Sequence, residues 1–536
     1  MLIPDLVIKA ADQSPDKIGL IHNDAILTYE EIYEKSLRLS HTLKHMGVEK
    51  SDRICFYMEK RLEKVVSIFG IALSGGVMVP IRRLARPHQV THIVNNCGAK
   101  VLITTSSRIP ALLKNTKEMP TLKAIISIGE YGETSTSDKI DLIYWKDLMK
   151  NGPMPPQDNC VSEHDPAAIL YTSGSTGRPK GVILTHLNIV SGAKKVSKYL
   201  RISSDDRLLS ILTFGFDYGF NQLMTSFLHC AQLVLLDYLF PRDIISAVDR
   251  YSITGLAAVS ATWLQLLQMP WKDAAMKNLR YITNSGGSIP SECVYELRRR
   301  LPDTDIYLMY GLTEAFRSTY LDPSLIDKYP TSIGKAVPGE EVMILDEDDQ
   351  PVKPGQIGEL VHRGVLVSQG YWNDPELTAQ RFRRNPLQHK DIPIPETVVY
   401  SGDYVKSDED GFLYFIGRKD EMIKCAGNRI SPTEVEEIIH GSGIVSDVVA
   451  FGIPHEIYDQ VVIAVVSPLQ DVEVDARELM KYCRNTMPPY MVPEKIEIWE
   501  RLPCNQNGKL DRAAIKKEVY TKHRKLDTDE HRLSGF

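Results

Sequence analysis

The densest group of residues able to do chemistry runs from Tyr171 to Thr185 and reads Tyr-Thr-Ser-Gly-Ser-Thr-Gly-Arg-Pro-Lys-Gly-Val-Ile-Leu-Thr. An apolar run before it, Ala167–Tyr171, reads as a buried strand that ends in a loop. The loop then supplies hydroxyls from Thr172, Ser173, Ser175 and Thr176, and glycines at Gly174 and Gly177. Glycine lets backbone N–H groups turn toward an anion, and the hydroxyls add donors. Arg178 and Lys180 bring positive charge, with Pro179 stiffening the backbone between them. That chemistry suits polyphosphate. The spacing is not that of a Walker P-loop, because two residues separate the glycines and Gly181–Thr185 continues as a strand. By composition alone the cluster is equally a surface turn.

Four other groups carry similar ambiguity. Asp217 sits among Phe214, Phe216, Tyr218 and Phe220. It is either the cap of a helix over 221–228 or a buried anion that needs a cation. A strand over Ile306–Tyr310 runs into Gly311-Leu-Thr-Glu314, where Thr-Glu after a glycine is by itself just a helix start. Asp403, after Ser401-Gly402, is a turn residue or an acceptor for two vicinal hydroxyls. Asn507-Gly508-Lys509 is by itself a turn with a solvated lysine.

Taken together and in order, these strings resemble the AMP-forming adenylating superfamily. That superfamily comprises acyl-CoA synthetases, adenylation domains of nonribosomal peptide synthesis and firefly-type luciferases. The resemblance covers nearly the whole chain and rests on five motifs: the 171–181 loop, Tyr310–Glu314, Ser401–Asp403, Gly417–Ile430 and Asn507–Lys509. It implies ATP and Mg²⁺ as cofactors. ATP or AMP would be held by Thr172, Ser173, Gly174, Ser175, Thr176, Gly177, Lys180, Gly286, Gly287, Tyr310, Gly311, Thr313, Asp403 and Arg418. Within that set Tyr310 stacks on adenine, Thr313 touches the α-phosphate, and Asp403 and Arg418 face the ribose. Catalysis would fall to Lys509, Thr176 and Glu314, with Glu314 also the metal ligand. The acyl pocket would be built from Asp217, Tyr218, Asn221, Thr262, Trp263, Ser285 and Met309, closed by Lys509. Asp420 would be the hinge of a mobile lid, Gly427 the gap for a pantetheine arm, and Arg429 a residue near the phosphates.

The implied reaction is attack of a carboxylate on the α-phosphorus of ATP, loss of pyrophosphate, and transfer of the acyl group to a pantetheine thiol. Amino-acid-activating members carry a Phe-Asp pair whose Asp binds the substrate ammonium, and Phe216-Asp217 matches it. The Phe216–Leu223 context is similar to that of proline-activating stand-alone enzymes, which points to L-proline. The acceptor would be a trans-acting carrier protein with a phosphopantetheine arm, in nonribosomal peptide or other secondary-metabolite biosynthesis, or else free CoA. The alternative is an acyl-CoA ligase for a neutral carboxylic acid; a luciferase-like oxidoreductase is more distant.

The elements that must position these groups alternate strand and helix. Thr28-Tyr-Glu-Glu31 is a capping box, followed by Ile32, Ser36, Leu39, Leu43 and Met46 on one helical face and Gly47 as a stop. Strands at 53–58, 75–80 and 100–104 with helices at 62–73 and 90–97 have the spacing of βαβ units. The expected fold is α/β: a large N-terminal domain, 1–419, with parallel sheets flanked by helices, and a small α+β lid, 420–536. A second capping box, Ser431-Pro-Thr-Glu434, opens the first lid helix.

A chain of 536 residues with 43% hydrophobic and 25% charged content has the composition of a globular protein. A net charge of −6 argues against a general nucleic-acid binder. Eight scattered cysteines without a C-x-x-C pair make neither a zinc site nor a disulfide framework. With no signal peptide or membrane span legible, a cytoplasmic location is expected.

Overall fold

The computed structural model describes residues 1–521, apart from 132–139, 151, 153, 156–159, 173–178, 272–275, 288, 420, 426–427, 456–458, 490 and 506–507. Two largely parallel sheets carry the N-terminal part. The first orders Lys335–Ala336, Ala315–Tyr320, Asp305–Leu312, Tyr281–Asn284, Gly255–Ala258, Arg207–Ser210, Gln232–Leu235, Ile18–His22 and Ala25–Thr28. Its interior pairs are parallel and its edges antiparallel. The second orders Asp141–Tyr144, Ala124–Ile128, Val101–Thr105, Arg53–Tyr57, Val77–Ile81, Pro166–Thr172 and Lys180–Thr185. All its pairs are parallel except the last. Strands such as Val77–Ile81 are buried along their whole length, as continuous apolar runs covered on both faces must be.

Local sequence explains the helices between the sheets. In Tyr29–His45, Thr28 Oγ1 accepts from Glu31 N–H while the Glu31 carboxylate accepts from Thr28 N–H. The buried stripe contains Ile32, Ser36, Leu39 and Leu43. It packs on Leu62–Leu73 so closely that a Cβ on Gly70 would come within 2.8 Å of Leu39.

The same region holds a third sheet. Glu341–Leu345, Gly358–Arg363, Phe382–Arg384, Thr397–Ser407 and Leu413–Arg418 pair antiparallel. Most of its strands are joined by turns rather than by long helices, so the alternation that reveals a parallel sheet does not run through it.

The chain changes sheets between Arg418 and Ile423. A separate sheet follows, built from Ile423–Cys425, Asn428–Ile430, Val445–His455, Asp459–Pro468 and Lys495–Ile498 with helices Pro432–His440 and Ala476–Thr486. Ser431 Oγ accepts from Glu434 N–H at the first of these helices, one half of the expected box. This unit has its own apolar cluster around Val435, Ile439, Val462, Ala464 and Cys483. We propose the 419/420 boundary for the lid on this change of sheet. No helix among the described residues is long and apolar enough to cross a membrane.

Candidate active site

The strands on either side of the 171–181 loop pair antiparallel, with Thr172 opposite Lys180 and Tyr171 opposite Gly181. A Cβ on Gly181 would lie 2.6 Å from Ile169 Cγ2, so only glycine lets the two strands close there. Arg82, at the end of Val77–Ile81, donates to the Tyr171 carbonyl at 3.3 Å. Burial lowers the pKa of its guanidinium. Residues Ser173, Gly174, Ser175, Thr176, Gly177 and Arg178 lie outside the described residues, as do Asp420, Gly427 and the side chain of Arg429.

Tyr310 and Asp403 meet across two sheets. Tyr310 Oη donates to Asp403 Oδ2 at 2.5 Å, and Arg418 Nη1 lies 3.1 Å from Asp403 Oδ1. Asp403 is not a turn residue: it lies inside Thr397–Ser407 and pairs in register with Arg418. Gly402 before it takes φ +72°, a left-handed conformation suited to glycine. Burial raises the Asp403 carboxyl above its ordinary range, and Arg418 and the Tyr310 hydrogen bond pull it back. Beneath Tyr310 lies the buried ring of His362, 15° from parallel and 6.1 Å between centroids.

Asp305–Leu312 and Ala315–Tyr320 form a hairpin in which Leu312 pairs with Ala315. Thr313 and Glu314 are therefore its tip, a turn rather than a helix start. Glu314 Oε1 accepts from Tyr371 Oη at 2.6 Å. One carboxylate of this kind, beside a phosphate-bearing ligand, fits Mg²⁺, which keeps several waters and rarely needs a dedicated protein cage.

Lys509 comes from the lid and reaches the N-terminal sheets. Its Nζ is 5.4 Å from the centre of the Phe216 ring. Gly286, at φ +86°, leaves it room: a Cβ there would lie 3.0 Å from Lys509 Cε. Burial lowers the Lys509 pKa, opposed by the charges of Asp217 and Asp403. Lys509 thus feels the charge of both carboxylates that the sequence singled out separately.

Asp217 is the buried anion of one of its two sequence readings, and the cation beside it is a protein arginine. It is the first residue of the helix Asp217–Leu228, which starts four residues earlier than expected, and no side chain caps that helix. Its carboxylate instead accepts from Thr313 Oγ1 at 3.4 Å and stands 3.3 Å from Arg317 Nη1. Both Asp217 and Arg317 are only 2% exposed. Burial raises the Asp217 pKa, with Arg317 and then Lys509 opposing. The Arg317 guanidinium also stacks 4.8 Å from the Tyr218 ring centre.

Tyr218, Asn221, Met309 and Arg317 line one cavity behind this pair. Thr262, Trp263 and Ser285 are buried but do not line it. Trp263 is a core residue, fully buried, with Nε1 donating to the Thr283 carbonyl. Gly287 accepts from Ser260 Oγ through its carbonyl. Sequence reasoning gave no role to Arg317 or to Arg82. Their signal, arginine within or directly after an apolar strand, was present, but no partner was visible in one dimension.

Comparison with known proteins gives the family and the fold. The family model "AMP-binding enzyme" matches residues 7–372, and "AMP-binding enzyme C-terminal domain" matches residues 434–509. A linear gramicidin synthase of Brevibacillus parabrevis is 30% identical over 508 residues, covering 94% of this chain. The chain spans only 6% of that relative's length. Among solved structures, the anthranilate CoA ligase AuaEII in complex with anthranoyl-AMP superposes with TM-score 0.87 at 23% identity, over 97% of both chains. The o-succinylbenzoate CoA synthetase of Bacillus subtilis, in complex with ATP and magnesium, gives TM-score 0.79 at 25% identity, over 95% of this chain and 99% of that one. With matching folds, two matching family models and five motifs in order, the chain belongs to the AMP-binding enzyme family.

Proposed function

We propose that this AMP-forming ligase activates an amino acid as its aminoacyl-AMP and passes it to the phosphopantetheine thiol of a carrier protein. The observation that carries the reading is Asp217: a buried carboxylate not used to cap its helix, between Phe216, over whose ring Lys509 Nζ lies, and Tyr218, which lines the cavity. A substrate ammonium placed there shares the carboxylate that Arg317 now holds. The substrate carboxylate is thereby aimed toward Lys509.

Two anions must approach each other for adenylation, so the residues act by charge and position rather than by proton transfer. Asp403, Arg418 and Tyr310 would hold the ribose and adenine of ATP, and Thr313 and Lys180 its phosphates. Lys509 would stabilise the charge that develops as the substrate oxygen bonds to the α-phosphorus and pyrophosphate departs. Mg²⁺ at Glu314 would neutralise phosphate oxygens. The acyl-AMP is then attacked by a thiol; the lid, turning near 420, would exchange Lys509 for a pantetheine channel past Gly427.

A second reading is a CoA ligase for a carboxylic acid without an amine. It is favoured by Arg317, which already neutralises Asp217 without help from a substrate. Amino-acid-dependent ATP–pyrophosphate exchange decides between them. Exchange with amino acids supports the first reading; exchange with aryl or fatty acids alone refutes it.

A further inference from the structure

The cavity behind Asp217 carries polar atoms that the reaction does not use. Among the described residues, Arg317 Nη2, Asn221 Nδ2 and Gln222 Oε1 are buried without a hydrogen-bond partner. All three side chains line the same space, beside Tyr218, Thr283 and Met309. They are not loose. Gln222 Nε2 donates to the Leu209 carbonyl at 3.2 Å, which leaves its oxygen unused. Arg317 is clamped by Asp217 on one side and by the Tyr218 ring on the other. Asn221 and Arg317 are each 2% exposed. Buried polar groups in native proteins are almost always partnered, so three orphans lining one space mark a ligand surface.

The chemistry of the orphans defines what fits. Two of them are donors, and one donor is cationic, so the complement carries an oxygen acceptor, while Gln222 Oε1 offers a place for an N–H or O–H donor. Size restricts it further. The cavity measures about 20 Å³, room for about one water-sized group without rearrangement. As it stands the cavity takes one oxygen of such an acceptor group, and a longer side chain has no place there.

Charge closes the argument. A substrate ammonium that takes over Asp217 leaves the Arg317 charge buried and under-compensated, a costly state unless something answers it. A second oxygen function on the substrate would do so.

We propose that the acid activated by this enzyme carries, besides its reacting carboxyl, a second carboxylate or carboxamide on a short arm, bound by Arg317 and Asn221. The inference rests on the reading that this cavity receives the acid's side chain. It departs from the L-proline expectation, because a pyrrolidine ring would cover Arg317 Nη2 and Asn221 Nδ2 with hydrocarbon and leave both unpaired.

The test is pyrophosphate exchange by the intact chain with L-aspartate, L-asparagine, L-alanine, L-valine, L-proline and succinate. Wild type is compared with Arg317→Met and Asn221→Leu. The second variant leaves the Asp217–Arg317 pair untouched and so keeps the test valid if the first does not fold. Expected is a kcat/KM for L-aspartate or L-asparagine at least tenfold above L-alanine and L-proline, with both variants reversing the order. Preference of L-aspartate over L-asparagine assigns a carboxylate; the reverse assigns a carboxamide. Equal or better exchange with L-proline, L-alanine or L-valine, unmoved by Asn221→Leu, overturns the inference and leaves amino-acid activation standing. Exchange with succinate but with no amino acid does the opposite: the oxygen-acceptor site stands and the amino-acid reading falls.

Discussion

Gly286→Ala isolates the approach of Lys509. At φ +86° an alanine is strained by a left-handed backbone, at a cost of about 1 kcal/mol. Its Cβ would also lie 3.0 Å from Lys509 Cε and 3.3 Å from Nζ. Carbon atoms settle at about 3.5–4.0 Å, so the lysine must withdraw by about 0.5–1 Å. A misplacement of that size in a positioned group costs up to about 100-fold in rate. We therefore expect adenylation, followed as pyrophosphate exchange, to fall about 10- to 100-fold. Thioester formation from supplied acyl-AMP, which does not need Lys509 at Gly286, should change less than about threefold on the same reasoning. Gly47→Ala serves as control. It has φ +75° with nothing within 4 Å of a new Cβ. It should therefore show the same backbone cost, about 1 kcal/mol, without loss of rate. Wild-type exchange by a folded Gly286→Ala enzyme would refute the argument, and equal loss of both half-reactions would point to a distorted pocket instead.

Lys509→Ala should abolish pyrophosphate exchange while sparing thioester formation from acyl-AMP; parallel loss of the two would remove the lysine from the first step. Asp217→Ala should not spare the fold, since it strands Arg317 in a buried position, a cost of about 3–5 kcal/mol. Asp217→Asn keeps the volume and a polar contact, so it should unfold at lower denaturant by less than the alanine variant yet still lose amino-acid exchange; undiminished exchange would clear Asp217 of substrate binding. Acid should weaken the protein through His186, whose buried ring accepts from Ile3 N–H and whose pKa burial pushes down to about 4. Between pH 6.5 and 4 the unfolded chain binds a proton that the folded ring refuses, so stability falls with falling pH, by about 3 kcal/mol over the window. Urea unfolding at pH 7 and pH 5 should show a shallower drop in His186→Asn, and an identical drop in the variant would assign the acid sensitivity elsewhere.

The parts of the site carried by local strings were legible in sequence. Tyr310–Glu314 lies at a strand end because an apolar run precedes it, and the Thr28 cap follows from two residues three apart. What failed to show was anything that depends on long-range pairing. Arg317 lies one hundred positions from Asp217 and looked unassigned until the fold set them 3.3 Å apart. Asp403 had two readings, turn residue or ribose acceptor, because Ser-Gly-Asp is turn chemistry; pairing with Leu413–Arg418 holds it in a strand. Trp263 was weighed as a pocket wall, but burial against Thr283 makes it core, a distinction that helical spacing cannot draw.

Each acidic group at the centre already has an internal partner: Asp217 has Arg317, Asp403 has Tyr310 and Arg418, and Glu314 has Tyr371. Ligand entry is therefore an exchange of partners. Where a newcomer draws an acid away from its neighbour, the total number of good contacts rises only if it also satisfies that neighbour. A molecule with one correct group comes out near zero; a molecule with both is bound well. Discrimination of this kind is nonlinear in the number of matched groups, and it lets a pocket built from ordinary contacts ignore close imitators at millimolar concentration without any group whose task is to repel them.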